Sequence, residues 1–377
     1  MKGYLFLLIT FFQIGRSYSQ SHFIISGKTN ILKDGRVVLL GNVSNSLYSL
    51  RVQADTVKIS NYTFQFEGVI KYPEQHRIVI LNTSYISEPF FVDEGFQEIK
   101  IDSANRPHDL LDFGFGVIVN GSKTNDEYFN KYLPRFSDVY KMFNLYFSEM
   151  NYCDTITDLE TKKLCIVNSD SVRVKLKLIR DSLLLNYALL APKSKIIPWL
   201  IRDALSYYGY NNLYQKAFEQ VESYMPNKMK IYLDSVLTQE KSIAIGSPFP
   251  LVDFINSHFS EKYLQENKYT LVDFWFAKCR PCIGQFKLLK DVYQKHNKNG
   301  FDIVAISIDK QSDIQEYEKI VKQNEYKWNQ ILDTSGVQAE FIGVSKYPTN
   351  FLLDKSGNII AIDIKPFVLE IFLEKNL

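Results

Sequence analysis

Cys279-Arg280-Pro281-Cys282 is where this chain carries chemistry. It follows an apolar, aromatic, β-prone run, Leu271-Val272-Asp273-Phe274-Trp275-Phe276-Ala277-Lys278. If a helix begins at the first cysteine, that thiol meets the free N–H groups and positive end of the helix dipole, which favour a thiolate. The second thiol then lies one turn away and can close a disulfide, so the pair can pass two electrons to or from other thiols. A metal site uses the same spacing but needs two more ligands. The other cysteines, Cys153 and Cys165, lie more than a hundred residues earlier, and the nearest histidines are His258 and His296, so no metal is expected. A CxxC after a strand in a βαβ pattern reads as a redox motif. The histidines form no helical pair, and no glycine-rich phosphate loop appears.

The elements around the dithiol must hold it. Beyond the two-proline linker Ile245-Gly246-Ser247-Pro248-Phe249-Pro250, strands and helices alternate. The pattern predicts strands at Tyr269–Ala277, Phe301–Ile308 and Asn329–Leu332, and a hairpin of Thr349–Leu353 with Asn358–Asp363. Helices are predicted at Cys279–Asn297, Ile314–Gln323, Val337–Ile342 and Pro366–Lys375. This is a central sheet covered by helices. From Phe23 to Ile101, seven short strands with closely spaced turns predict an antiparallel, sandwich-like β domain. Between them, Asp126–Met150, Val172–Leu190, Ile196–Tyr208, Asn212–Tyr224 and Asn227–Leu237 read as helices, with Thr157-Asp158-Leu159-Glu160 as a capping box and Ser194 as a further cap. The expected fold is therefore multidomain α+β: a signal segment at 1–19, a β-rich domain at 20–122, a helical region at 123–242 and an α/β domain at 243–377. On one continuous helix Cys153 and Cys165 would lie about 18 Å apart. The break at Asp154–Asp158 lets them meet, and either a structural disulfide or two buried thiols fits.

A length of 377 residues suits two or three domains, and an apolar fraction of 46% supplies their cores. A net charge of +2 carries no basic stripe for nucleic acid. Lys2, the short apolar run Tyr4–Ile14 and the small residues Ser17 and Ser19 form a signal-peptide pattern, too short to span a bilayer. No cysteine follows that cut, so no lipid anchor and no stable membrane insertion are expected.

The segment Leu271–Cys282, together with Tyr347-Pro348-Thr349 and the following Phe351–Asn358, resembles the active-site strand and the cis-proline loop of thioredoxin-fold proteins. The long interval between the two, and the lead-in Ile245–Phe254, are similar to the exported TlpA/ResA-like branch. The β domain, with Asn120-Gly121-Ser122 ahead of the helices, is similar to exported Bacteroidetes proteins that carry a domain of unknown function there. The resemblance implies a periplasmic thiol–disulfide oxidoreductase that needs no cofactor, reduces protein disulfides and is recharged by an unidentified electron donor. Cys279 would attack, helped by Lys278 and Arg280, and Cys282 would resolve the mixed disulfide. Asp273 stands where thioredoxins bury an acid and would exchange the proton of Cys282; a structural aspartate is the other reading. Pro348 would be cis, against an ordinary trans edge proline. Trp275 would wall the site or merely fill the core. Arg280, Pro281, Tyr347 and Thr349 would face the substrate. Two positions depart from that branch: Gln285 stands where a glutamate is usual and Lys287 where a proline is usual. A glutamine cannot titrate, which leaves proton handling to Asp273. These departures also suit a second function, an envelope binding or redox-sensing protein that uses the fold as scaffold. A peroxidase is disfavoured, since no lone peroxidatic cysteine with its Pro and Thr appears.

Overall fold

The computed structural model describes residues 21–41, 54–108, 112, 114–251 and 261–377. The signal segment 1–19, the end of the second predicted strand at Asn42, His258 and the lead-in residues Asp253 and Phe254 lie outside the described residues. The β-rich part holds β1 (Ser21–Thr29), β2 (Gly35–Gly41), β3 (Ala54–Ile59), β4 (Thr63–Ile70), β5 (Glu74–Ile80), β6 (Phe90–Val92), β7 (Gly95–Ile101) and β8 (Val117–Asn120). They form two four-stranded sheets, ordered β4-β1-β7-β8 and β3-β2-β5-β6. Alternation drives the assembly: Phe23 and Ile25 of one sheet and Val37 and Leu39 of the other point into one core. Gly27 pairs with Phe64 across β1 and β4, and a Cβ at Gly27 would sit 2.0 Å from that ring, so only glycine fits beneath it. Two features differ from the sequence expectation. β8 is an eighth strand, and β1 runs parallel to β7 where antiparallel pairing was expected. Parallel neighbours need a long crossover, and here it contains β2, β3, β5 and β6, which build the second sheet, and β4, which returns to pair with β1.

The helical part comprises α1 (Lys123–Glu127), α2 (Ser137–Thr155), α3 (Leu159–Leu190), α4 (Ile197–Tyr208), α5 (Asn212–Val221) and α6 (Asn227–Ser242). The helix predicted from Asp126 to Met150 is broken at 128–136, where π and 3-10 turns run through Pro134; proline has no N–H to give the ladder. Thr157 is not the cap of α3. Asp158 is, its carboxylate accepting from the Thr161 N–H at 2.9 Å, and the helix starts thirteen residues before the predicted Val172. Ser194 also caps no helix directly: Ile196 holds that position, and Ser194 donates instead to Glu127. The turn between α2 and α3 brings Cys153 and Cys165 to a Cα separation of 5.7 Å, and they are disulfide-bonded.

The C-terminal part contains α7 (Glu261–Glu266), β9 (Tyr269–Trp275), α8 (Arg280–His296), β10 (Phe301–Ser307), α9 (Ile314–Asn324), β11 (Asn329–Leu332), α10 (Val337–Ile342), β12 (Thr349–Asp354), β13 (Ile359–Ile362) and α11 (Pro366–Asn376). Its sheet is ordered β11-β10-β9-β12-β13, with β9 central, parallel to β10 and antiparallel to β12. Strand β9 is buried on both faces. Leu271 and Trp275 pack toward α8 and α11, while Val272 and Phe274 join Val304, Ile306 and Phe351 on the other side.

Candidate active site

The dithiol sits at the seam between β9 and α8. Cys279 is the N-cap of α8, in extended conformation, and its Sγ accepts from the Cys282 N–H at 3.2 Å. Pro281 occupies the first turn, where a missing N–H is not needed. Cys279 and Cys282 are joined, with Cα atoms 5.3 Å apart. Cys279 keeps 4% of its surface and Cys282 none, so of the two residues only the first has surface that another molecule can approach. Arg280 and Pro281 are exposed on the rim.

Asp273 lies in β9, wholly buried between Val272 and Phe274 as the one ionisable carboxyl of the strand. The Gln285 side-chain amide donates to its Oδ2 at 3.1 Å, and Oδ1 has no hydrogen-bond partner. Cys282 and Gln285 are three residues apart and share the inner face of α8. Asp273 therefore faces that helix about one turn below the buried sulfur. Burial pushes its carboxyl well above the ordinary range, the Asp363 charge adds to the rise, and Asn350, its cross-strand neighbour, offsets part of it. Gln285, expected only as a lost acid, is thus the group that holds the remaining one.

The loop before β12 comes alongside. The Tyr347–Pro348 peptide is cis. Thr349 pairs with Phe274 of β9, and the Tyr347 ring meets Phe276 edge-on at 5.8 Å, which sets the loop against the segment leading into Cys279. Thr349 is buried, with Oγ1 unpartnered, and Tyr347 and Pro348 are half-buried. Trp275 is fully buried, its ring 5.0 Å from Phe286 and 5.6 Å from Tyr317. It fills the core beneath the disulfide and has no surface to offer a substrate, so the expectation that it contacts one is corrected.

Two supports were not found from the sequence. Asp309, just after β10, accepts from the Ala277 N–H at 2.9 and 3.1 Å and from the Ser307 hydroxyl at 2.6 Å, which fixes the turn before Cys279. Lys278 does not stand free beside the thiol as expected: it pairs with Asp313 at 2.7 Å. Both partners lie more than thirty residues away in sequence, and no local spacing marks them. Among the described residues no group of His, Cys, Asp and Glu could hold a metal.

A thioredoxin-like family model matches residues 267–359, and a domain of unknown function, DUF4369, matches residues 23–128. The chain is 29% identical over 127 residues to the thiol-disulfide oxidoreductase ResA of Bacillus thuringiensis subsp. konkukian (strain 97-27), covering 33% of this chain and 71% of that protein. A solved thioredoxin domain of a thiol-disulfide oxidoreductase from Bacteroides vulgatus is 28% identical, covering 36% of this chain and 98% of that one, with a TM-score of 0.32. A solved thiol-disulfide oxidoreductase from Bacteroides fragilis NCTC 9343 is 31% identical, covering 30% and 83%, with a TM-score of 0.27.

Proposed function

The C-terminal part of this chain belongs to the thioredoxin-like family of ResA-type thiol–disulfide oxidoreductases, and on that premise we propose that it is an exported enzyme which reduces protein disulfides through Cys279 and Cys282. The observation that carries the reading is the Cys279 sulfur at the N-cap of α8, accepting the N–H of the very cysteine it is bonded to. The exchange starts from the reduced pair. The Cys279 thiolate attacks one sulfur of a substrate disulfide; that bond breaks, and the leaving sulfur takes up a proton. The Cys282 thiol gives its proton to the Asp273 carboxylate and attacks the Cys279 sulfur of the mixed disulfide. The second substrate sulfur leaves and takes the proton from Asp273, which returns to the carboxylate. Two electrons and two protons pass to the substrate, and the enzyme is left with the Cys279–Cys282 bond. A dithiol donor must then return both.

Pro348 and its neighbours Tyr347 and Thr349 present the adjacent loop to a substrate strand, and Arg280 and Pro281 form the opposite rim. The N-terminal sequence pattern supports export to the periplasm, and the Cys153–Cys165 bond suits an oxidising compartment. No helix of the described residues is long and apolar enough to cross a membrane. On this reading the β-rich domain ends near 122 and the helical region near 242.

Insulin-disulfide reduction tests the reading. Cys279→Ser should abolish it, and Cys282→Ser should accumulate mixed disulfides with envelope proteins through Cys279. Unchanged turnover of Cys279→Ser would remove the nucleophile, and a wild-type dithiol that titrates yet reduces no protein disulfide would favour the scaffold role.

A further inference from the structure

Helix α8 carries an exposed stripe that starts at the rim residue Arg280 and runs on past the part of the helix used in the chemistry above. Arg280, Gly284 and Lys287 fall four and three residues apart, so they share one face, and all three are exposed. They line one wall of a groove whose other wall is the start of α9, with Asp313 and Glu316. A Cβ at Gly284 would meet nothing within 4 Å, so the middle of the groove is open. The acids of the far wall are engaged: Asp313 with Lys278 at 2.7 Å, and Glu316 with Lys319 at 3.7 Å. Arg280 and Lys287 make no ion pair among the described residues. The lining therefore carries three cations, Lys278, Arg280 and Lys287, against two carboxylates, and the two cations without an ion pair, Arg280 and Lys287, lie two turns of α8 apart, about 10 Å along the axis.

We propose that this groove receives the chain flanking the cysteine of a polypeptide substrate and selects an acidic side chain there. The inference rests on the redox reading of Cys279. An extended chain advances about 3.3 Å per residue. An acid about three residues from the substrate cysteine reaches Lys287, and one next to it reaches Arg280. Lys287 is thereby a specificity-determining residue on a turn of α8 that the sulfur exchange does not use.

The test uses the full-length reduced protein and three disulfide-linked peptides that differ only in Glu, Gln or Lys at the third residue from the cysteine. Bis(2-hydroxyethyl) disulfide serves as a small uncharged substrate. One exposed ion pair with Lys287 gained, and one like-charge contact avoided, predict a kcat/KM about fivefold higher for the Glu peptide than for the Lys peptide at low ionic strength. The preference should shrink toward unity at about 1 M salt, where screening acts within about 3 Å. Lys287→Glu should reverse the order of the peptides. Equal rates for all three, or a preference that Lys287→Glu leaves in place, overturns the groove while turnover of the small disulfide upholds the redox reading. Failure to reduce any of the four disulfides overturns both.

Discussion

Asp273 is a carboxyl placed where its charge is least welcome. Burial, the Asp363 charge and a single amide donor from Gln285 leave it with one oxygen unpaired, and its proton is held well above the ordinary carboxylate range. The folded state then binds more protons than the unfolded chain from the ordinary carboxylate range up to the raised value. Stability must fall as pH rises through that window. Asp273→Asn keeps the shape and removes the titration. Its stability should fall less steeply over the same window, since half-buried Glu240 keeps its own raised titration, and exceed that of the wild type above it, as read from denaturant midpoints, while insulin reduction drops about a hundredfold for loss of the proton acceptor. A variant whose midpoint declines in parallel with the wild type would show that the carboxyl is ionised throughout. At this scale Cys279, Cys282, Asp273 and Pro348 were legible, because the motif sits in one strand–turn–helix segment and one loop. Asp309 and the bond from Gln285 to Asp273 were not, because each joins elements that only the folded sheet brings together.

Among the elements, α8 matches its predicted start because Cys279 and Pro281 mark it in the sequence. Helix α3 does not, since its first turns lack an apolar stripe and rest on tertiary contacts. Cys153 and Ile166 pack against Phe367 of α11, and Lys163 pairs with Glu370 at 3.0 Å. The Cys153–Cys165 bond thus ties the α2–α3 turn where the helical part meets the C-terminal sheet's last helix. A bridge across twelve residues of chain is worth about 3 kcal/mol by the loop-entropy argument. The double variant Cys153→Ser, Cys165→Ser should lose about that much in urea denaturation and keep its rate of insulin reduction at 25 °C. A fall in rate equal to that of Cys279→Ser would make this pair part of the redox chemistry instead.

Over the whole molecule, the β sheets and the helices are not separate cores. One apolar cluster runs from Phe23 and Ile25 through Tyr128 and Phe136 to Leu233 and Leu237. The Trp199 indole donates to the Pro73 carbonyl at 2.8 Å, and Arg202 donates to Gln75 at 2.8 Å, so polar bonds cross the same boundary. Trp199→Ala should cost about 3–5 kcal/mol. Strand and helix signals of residues 21–242 should be lost in one transition when followed by circular dichroism and hydrogen exchange. Helices that melt while the sheets keep their protection would refute the shared core. By itself the sequence determined the dithiol, the proline loop, the buried acid and most element positions. Those follow from residue type and from periods of two or 3.6 residues, which covalent geometry imposes locally. Only the tertiary structure decided that β1 lies parallel to β7, that Trp275 is sealed inside, that Lys278 is neutralised and Lys287 left free, and that Gln285 holds Asp273. Those contacts join residues distant in sequence, and they are selected by how complete cores and charges fit together, which no local period records.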